Sequence, residues 1–311
     1  MKTFSQLLLL LCFFIFFIGC NSKPQNLVID KIVVGVVGGD DPAERVSCFK
    51  KLTPYFEKEF GVKKVDIYVT SDYASVIEAM RSKKVDIAHL GELSYLLAAE
   101  RAGAEAFVMA GTADGQRATS SIILTSSKST IMNIDDVKKR SKELSLAFAD
   151  PASTSGHLYP RNYFNSIGLD PEKSFKTVSF TNDHSTAILT AMSQKVDITC
   201  TYSLAVNRLI IKKRIQKDDY RILWESEPYI TPPISVRGDL PATLKEKIKQ
   251  AYLDLPVKEP KLWSDYKNTL YIMYPDEIRE KLIYIPSHDS MYNGIRELAR
   301  NCKNFNFLGS K

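Results

Sequence analysis

The sequence is poor in the residues from which metal sites and disulfide frameworks are built. It contains four histidines, all far apart, and five cysteines that form no C-x-x-C pair. No H-E-x-x-H motif or other compact ligand set is present, so the sequence predicts neither a metal site nor a cofactor. Cys48, Cys200 and Cys302 are an odd number at wide spacing, which indicates no disulfide framework and leaves a single pairing open.

Concentrated positive charge and long apolar runs are also missing. The net charge of +6 comes from Lys and Arg interspersed with acidic residues, so no basic face for nucleic acid is predicted. The apolar run at 7–18 is 12 residues long, which is short for a bilayer span but fits the core of a signal peptide. With 311 residues, one quarter of them charged, the chain can fold as one large domain or two medium ones.

The end of this apolar run resembles the lipobox of bacterial lipoproteins. A small residue, Gly19, precedes Cys20, and polar residues follow, although Phe17 stands where Leu is usual. We predict that residues 1–20 are a lipoprotein signal peptide with its lipobox and that Cys20 carries lipid after processing. Such an anchor would hold the protein at the periplasmic or extracytoplasmic face of the membrane. A conventional cleaved signal and an uncleaved anchor are the alternatives.

Strand-like and helix-like segments alternate along the rest of the chain, which is typical of sheets flanked by helices. Within this alternation, SDYASVIEAMRSKKVDIAHLG at 71–91 is echoed by NDHSTAILTAMSQKVDITCTY at 182–202. Each has a capping start, an apolar helix ending in Met and a Val-Asp-Ile strand, so Asp86 and Asp197 fall at equivalent places. The repetition predicts two similar α/β lobes whose strand ends surround one cleft, with both aspartates in structural roles.

The stretch DPASTSGHLYPR, residues 150–161, contains the most informative loop. It follows an apolar segment predicted to be a buried strand and leads into a segment predicted to be a helix. The hydroxyls of Ser153, Thr154 and Ser155, with free backbone N–H groups at the helix start, suit a tetrahedral oxyanion. The pattern lacks G-x-x-x-x-G-K-[ST], so it is not a P-loop. The alternative interpretation is an ordinary Ser/Thr helix cap.

Several separated blocks resemble the PhnD-like family, the periplasmic phosphonate- and phosphite-binding components of ABC transporters. They are SDYASVIEAMRSKKVDIAHLG, DPASTSGHLYPRNYF, FTNDHSTAILTAMSQKVDI and IPSHDSMYNGIREL, within 31–298. The resemblance implies an α/β, two-lobed periplasmic-binding-protein fold of type II, in which each lobe is a mostly parallel sheet flanked by helices. Hinge strands would join lobe 1, predicted at 21–119 and completed at 231–311, to lobe 2, predicted at 120–230.

The resemblance also implies which residues contact the ligand. A tyrosine after the first capping Asp donates its hydroxyl, and a second tyrosine lies in a G-P-x-x-Y pattern, in which Glu92 here replaces the Pro. Neutral donors from both lobes would satisfy an oxyanion without a permanent countercharge. Core packing is the alternative for the tyrosines, and a helix-cap role is the alternative for the histidine. The six predicted ligand contacts are Tyr73, Tyr95, Ser153, Thr154, Ser155 and His184.

The predicted ligand is a small phosphorus oxyanion without an amine, such as phosphite, methylphosphonate or a similar phosphonate. Family members that take aminophosphonates use acidic residues for the ammonium, but residues 201–203 and 230–233 contain no acid here. The resemblance implies ABC permease and ATPase subunits as partners and implies that the protein is not an enzyme. The alternatives are a sensory oxyanion-binding protein and a hydrolase of phosphonate esters, although no G-x-S-x-G motif is present.

Overall fold

The computed structural model describes residues 29–39, 41–115 and 119–305, so the predicted signal peptide and Cys20 lie outside the described residues. Every helix and strand below belongs to the unit Lys31–Lys311. The strands form two separate sheets, and each sheet with its flanking helices makes one lobe. Within the described ranges, no helix has both the length and the apolar composition that crossing a bilayer requires.

Lobe 1 is built on a six-stranded sheet from two separated parts of the chain. With strands numbered along the chain, they are β1 (Lys31–Val37), β2 (Lys64–Thr70), β3 (Ile87–His89), β4 (Ala104–Gly111), β10 (Pro233–Arg237) and β11 (Ile283–Pro286). Their order across the sheet is β11-β4-β10-β3-β1-β2. Strand β1 pairs in parallel with β2 and β3, whereas β10 and β11 are antiparallel to their neighbours.

Lobe 2 is built on a five-stranded sheet from the intervening part of the chain. Its strands are β5 (Ser121–Ser126), β6 (Ser145–Phe148), β7 (Thr177–Phe180), β8 (Ile198–Tyr202) and β9 (Tyr220–Glu225). Their order is β7-β6-β8-β5-β9, in which β6 is parallel to β7 and β8 and β5 is antiparallel to β8 and β9.

Helices pack against both sheets. In lobe 1 they are α1 (Pro42–Phe60), α2 (Tyr73–Arg81), α3 (Glu92–Ala102), α9 (Ala242–Lys258), α10 (Pro260–Leu270), α11 (Asp276–Arg279) and α12 (Asn293–Asn301). In lobe 2 they are α4 (Ile134–Arg140), a π-helix (Thr154–Leu158), α5 (Tyr159–Ser166), α6 (Pro171–Ser174), α7 (His184–Met192) and α8 (Ser203–Ile211). Two 3-10 turns, Ser141–Glu143 and Asp289–Tyr292, complete the described helices.

Helix α1 illustrates how local sequence sets these elements. Asp41 caps its start by accepting the Glu44 N–H at 2.9 Å, and Pro42 has the fixed φ that suits a first helical turn. Gly61 ends the helix in the left-handed conformation, with φ of 73°. One face of the helix, including Phe56, is fully buried against the rest of lobe 1. The amphipathic pattern therefore both forms the helix and fixes its position.

The two α/β lobes predicted from the sequence are present, but their sheets are mixed where mostly parallel sheets were expected. Parallel neighbours need a crossover connection, usually through a helix. Strands β5 and β10 each enter their sheet directly from the other lobe, without such a helix, and both run antiparallel to the strands beside them. The mixture is a consequence of the chain passing twice between lobes.

The repeated aspartates have the same role in both lobes. Asp86 Oδ2 accepts the Val33 N–H of β1 at 2.9 Å, and Asp197 Oδ2 accepts the Ser145 N–H of β6 at 2.8 Å. Asp86 also pairs with Arg237 at 2.9 Å. Each aspartate stands just before one strand, and its carboxylate bonds to the neighbouring strand. This is the structural role expected from the internal repeat.

The two interlobe crossings run beside each other, and the lobes also touch on the opposite side of the space between them. The Tyr229 N–H donates to the Thr119 carbonyl at 3.3 Å, which joins one crossing to the other. Away from the crossings, Arg208 of α8 reaches Glu44 of α1, with Nη2 and Oε2 2.6 Å apart. The lobes are therefore in contact around an enclosed cleft.

Candidate ligand-binding cleft

A cavity of about 250 Å³ lies between the lobes, where several parallel strands end. Residues following β1, β3, β6 and β8 contribute to its wall, which is the edge at which ligands of α/β proteins usually bind. Five of the six predicted ligand contacts line this cavity, one from lobe 1 and four from lobe 2. They are Tyr73, Ser153, Thr154, Ser155 and His184.

The loop that carries the hydroxyls of Ser153, Thr154 and Ser155, called the hydroxyl loop below, forms the wall of the cavity on the lobe 2 side. Ser153 precedes the π-helix and caps it, because its Oγ accepts the Gly156 N–H at 2.9 Å. In that bond the serine oxygen is the acceptor, so its hydroxyl hydrogen remains available for a ligand. Helix capping and ligand binding, which are alternatives for this loop from its sequence, are therefore compatible.

His184 lies beside this serine at the start of α7. Its Nε2 is 3.3 Å from Ser153 Oγ, and its Nδ1 is 3.0 Å from Thr201 Oγ1. Burial lowers the pKa of His184 from 6.5 to about 4, and the nearby Asp183 carboxylate only partly opposes this. The imidazole is neutral at pH 7. In the tautomer in which Nδ1 accepts from the Thr201 hydroxyl, Nε2 carries the hydrogen and can donate into the cavity.

Tyr73 lines the cavity from lobe 1. It begins α2, which Asp72 caps by accepting the Ser75 N–H at 2.7 Å. Burial, reinforced by the Asp150 carboxylate, raises the pKa of the Tyr73 hydroxyl, so it keeps its proton at neutral pH. Burial also raises the pKa of Asp150, while backbone N–H groups, including that of Tyr73, oppose the rise. The Tyr73 side chain is thus held as a neutral donor.

The lobes meet directly at Thr154 and the start of α3. Thr154 Oγ1 accepts the Leu93 N–H at 2.8 Å. Gly91, the cap residue of α3, has no side chain to satisfy that group, so the other lobe supplies the acceptor. A Cβ atom at Gly91 would lie 3.7 Å from Tyr73 Oη and 3.9 Å from Thr154 Oγ1. Hydroxyls from both lobes therefore flank this glycine.

The cavity offers several hydrogen-bond donors, and its described residues form neither a metal site nor a hydrolytic triad. Across the described ranges, no group of three His, Cys, Asp or Glu side chains could hold a metal ion. His184 Nδ1 faces a threonine hydroxyl, whereas a hydrolytic triad needs a carboxylate there to orient the imidazole. The arrangement is suited to holding an anion through hydroxyl, imidazole and backbone N–H donors.

Comparison with protein families matches residues 34–272 to the family described as "ABC transporter, phosphonate, periplasmic substrate-binding protein". The match covers more than half of the chain. This chain belongs to that phosphonate-binding family. The family consists of substrate-binding transport proteins, which agrees with the prediction that the protein is not an enzyme.

Individual relatives support the same family and fold. The phosphonates-binding periplasmic protein of Escherichia coli K12 is 31% identical over 206 residues, which are 65% of this chain and 60% of that relative, less than two thirds of its length. A binding component of a Pseudomonas aeruginosa ABC phosphonate transporter has a TM-score of 0.75 at 24% identity, covering 86% of this chain and 85% of that one. PhnD1 of Prochlorococcus marinus, solved with methylphosphonate, has a TM-score of 0.72 at 20% identity, covering 87% and 97%. The predicted family and two-lobed periplasmic-binding fold are confirmed.

One residue that the phosphonate-binding family resemblance placed in the site, Tyr95, does not line the cavity. Its side chain is fully buried in lobe 1, and its hydroxyl donates to Asp289 Oδ1 at 2.8 Å. Its ring packs edge-on against Tyr292, with centroids 5.2 Å apart. Tyr95 is directed into the lobe 1 core because Asp289, far along the chain, supplies the partner for its hydroxyl. The core-packing alternative describes this tyrosine.

We expect Tyr95→Phe to leave ligand affinity within about twofold of the unchanged protein and to lower the free energy of unfolding by about 1 kcal/mol, the value of one hydrogen bond. Tyr73→Phe is the matched variant. It should lower ligand affinity and leave the free energy of unfolding almost unchanged, because Tyr73 lines the cavity. Calorimetric titration and urea denaturation of both variants measure the two effects. A tenfold loss of affinity in Tyr95→Phe would show that Tyr95 contributes to ligand binding.

Several charged residues line the cavity without having been predicted as ligand contacts, and Arg45 and Glu92 are two of them. Arg45 of α1 is half-buried, and among the described residues it makes no ion pair. Glu92 opens α3 and is buried. The only sequence signal for either was the replacement of a family proline by Glu92. Arg45 stands in a charged helix and resembles any solvent-facing cation.

The segments in which the resemblance places acids for an ammonium group are free of carboxylates here and border the cavity. Tyr202 and Leu204 line it from one side, and Thr231, Pro232 and Pro233 line it from the second crossing. Neither segment offers a counterion for an ammonium group. This part of the wall consists of uncharged side chains.

Proposed function

We propose that this protein is the substrate-binding lipoprotein of an ABC importer and that it captures a small, amine-free phosphorus oxyanion. The observation that carries the proposal is the convergence of neutral donors from both lobes on one cavity. Tyr73 approaches from lobe 1, and Ser153 and His184 approach from lobe 2. An oxyanion held this way accepts several charge-assisted hydrogen bonds at once, each contributing about 1.5–3 kcal/mol.

The ligand class we favour is phosphite, methylphosphonate or a similar phosphonate. PhnD1 of Prochlorococcus marinus, which has the same fold, was solved with methylphosphonate. The absence of carboxylates at residues 201–203 and 230–233 argues against an aminophosphonate. Arg45 adds a positive charge to the cavity wall, which attracts an anion during its approach.

Capture proceeds by hinge closure. The ligand enters an open form and binds the donors of one lobe, and rotation about the two crossings brings in the other lobe. Closure makes the Leu93–Thr154 and Glu44–Arg208 contacts and excludes water, which strengthens each hydrogen bond. The closed form then docks on the permease, whose ATPase subunits drive release into the cell. Lipid on Cys20 keeps the protein at the extracytoplasmic face of the membrane, close to that permease.

A thermal-shift panel tests the ligand class. We expect phosphite or methylphosphonate to raise the melting temperature by several degrees at 100 times its Kd, because such occupancy stabilises the folded state by about 2.7 kcal/mol. Phosphate, 2-aminoethylphosphonate and methanesulfonate complete the panel. A larger rise with 2-aminoethylphosphonate would contradict an amine-free ligand, and a larger rise with methanesulfonate would contradict a phosphorus oxyanion.

A further inference from the structure

Glu92 is a carboxyl group inside a cleft that we propose binds an anion. It is the first residue of α3, its side chain is 5% exposed, and it lines the cavity. Thr154 Oγ1 of the opposite lobe accepts the N–H of the next residue, Leu93, at 2.8 Å. An ionised carboxylate in this position would repel any oxyanion held by the neighbouring hydroxyl loop.

Within the part of the chain that the structure describes, no positively charged side chain pairs with Glu92. Arg208, which also lines the cavity, is engaged by Glu44 at 2.6 Å. Among the described residues of the cavity wall, Arg45 is the only other Lys or Arg, and the acidic residues there, Asp150 and Asp183, add negative charge. The remaining titratable groups that face Glu92 are neutral tyrosines from several elements, namely Tyr73, Tyr229, Tyr274 and Tyr292.

The protonation state of Glu92 follows from this environment. Burial raises the pKa of Glu92 from 4.5 to about 7, and the nearby Thr154 side chain and the Glu92 backbone N–H only partly oppose the rise. A bound oxyanion adds a second negative charge nearby and raises this pKa further. The protonated carboxyl, in contrast, is one more donor for the ligand.

We propose that Glu92 and the bound phosphorus oxyanion share one proton in an O–H···O hydrogen bond, so that Glu92 couples ligand capture to protonation. This rests on the proposed function. A monoanionic ligand brings the proton on its own P–OH group, and a dianionic ligand takes it up from solvent together with the ionised Glu92. In both cases the complex holds one proton between the carboxyl and a phosphorus-bound oxygen.

The shared proton favours one class of oxyanion. Phosphonates and phosphite lose their second proton near neutral pH, so part of the ligand population already carries the proton that the complex needs. Sulfonates carry no proton at this pH and must always draw it from solvent. Glu92 is therefore a specificity-determining residue that selects protonatable oxyanions above pH 7.

Calorimetric titration with methylphosphonate at pH 8.5, in two buffers of different ionisation enthalpy, measures this proton directly. We expect the unchanged protein to take up close to one proton per ligand, because Glu92 and the ligand are both mostly ionised beforehand. In Glu92→Gln the amide donates without titrating. We expect this variant to take up almost no proton and to bind at least tenfold more tightly at pH 8.5. The unchanged protein must first bind a proton at this pH, and each pH unit above the pKa of Glu92 lowers its affinity tenfold.

Glu100→Gln is the matched control, because Glu100 is exposed on the same helix, and it should behave as the unchanged protein. Uptake near zero in the unchanged protein would overturn the proposal, whether or not the variant folds. The proposal would also be overturned if Glu92→Gln bound no more tightly than the unchanged protein, or if proton uptake in that variant were unaltered. If no phosphorus oxyanion binds at any pH, the proposed function fails, which is a separate outcome.

Discussion

Replacing Ser153 by Ala and Thr154 by Val lowers the affinity for methylphosphonate by at least about 100-fold. Both side-chain oxygens accept a backbone N–H, from Gly156 and from Leu93, so each hydroxyl hydrogen is left to donate to the ligand. Two hydrogen bonds to a charged ligand contribute together about 3–6 kcal/mol. Titration calorimetry of the double variant measures the loss.

A matched cap variant separates lost binding from lost folding. Ser153→Ala removes a helix cap and should cost about 1 kcal/mol of stability. Asn133, far from the cavity lining, caps α4 in the same way by accepting the Asp136 N–H at 3.0 Å. Asn133→Ala should lose similar stability and keep full affinity. If the double variant loses less than tenfold in affinity, the hydroxyl loop serves only as a cap.

We expect Gly156→Ala both to destabilise lobe 2 and to weaken ligand binding. A Cβ at this position would lie 2.4 Å from Ala149 Cβ, 3.0 Å from His184 Cε1 and 3.0 Å from Ser153 Oγ. The Ala149 Cβ is attached directly to the backbone, so the loop itself must shift. We expect a loss of at least about 1–3 kcal/mol in the free energy of unfolding. The same shift separates Ser153 from His184, so affinity falls by more than tenfold.

Gly294→Ala is the control for this substitution. No atom lies within 4 Å of a Cβ at Gly294, near the start of α12, and the change should leave both stability and affinity almost unaltered. Urea denaturation and calorimetry on the two variants give the comparison. Full affinity in Gly156→Ala would mean that the geometry of the Ser153–His184 pair does not matter for binding.

Local sequence was sufficient for the two lobes and for the hydroxyl loop. The internal repeat predicted equivalent roles for Asp86 and Asp197, and their carboxylates accept the N–H groups of Val33 and Ser145. The segment STSG, residues 153–156, predicted hydroxyl groups at a helix start, and Ser153 is the residue that caps this helix. The Ser153 cap depends on residues close in sequence, and the two aspartates have equivalent roles because one sequence pattern is repeated in both lobes.

Features set by distant residues could not be predicted in this way. Tyr95 matches a ligand-binding pattern of the family, yet its hydroxyl donates to Asp289. No residue near Tyr95 in the sequence indicates that contact. Arg45 and Glu92 belong to ordinary charged helix starts in the sequence, yet Glu92 is buried beside the place where Leu93 meets Thr154 of the second lobe. The antiparallel entry of β10 likewise depends on where the chain returns from lobe 2.

The most direct test of the central claim is a crystal structure of the protein grown with methylphosphonate. We predict one tetrahedral ligand in the cavity, with its oxygens within hydrogen-bond distance of Tyr73 Oη from lobe 1 and of Ser153 Oγ and His184 Nε2 from lobe 2. A ligand bound to one lobe alone, or outside this cavity, would contradict the account.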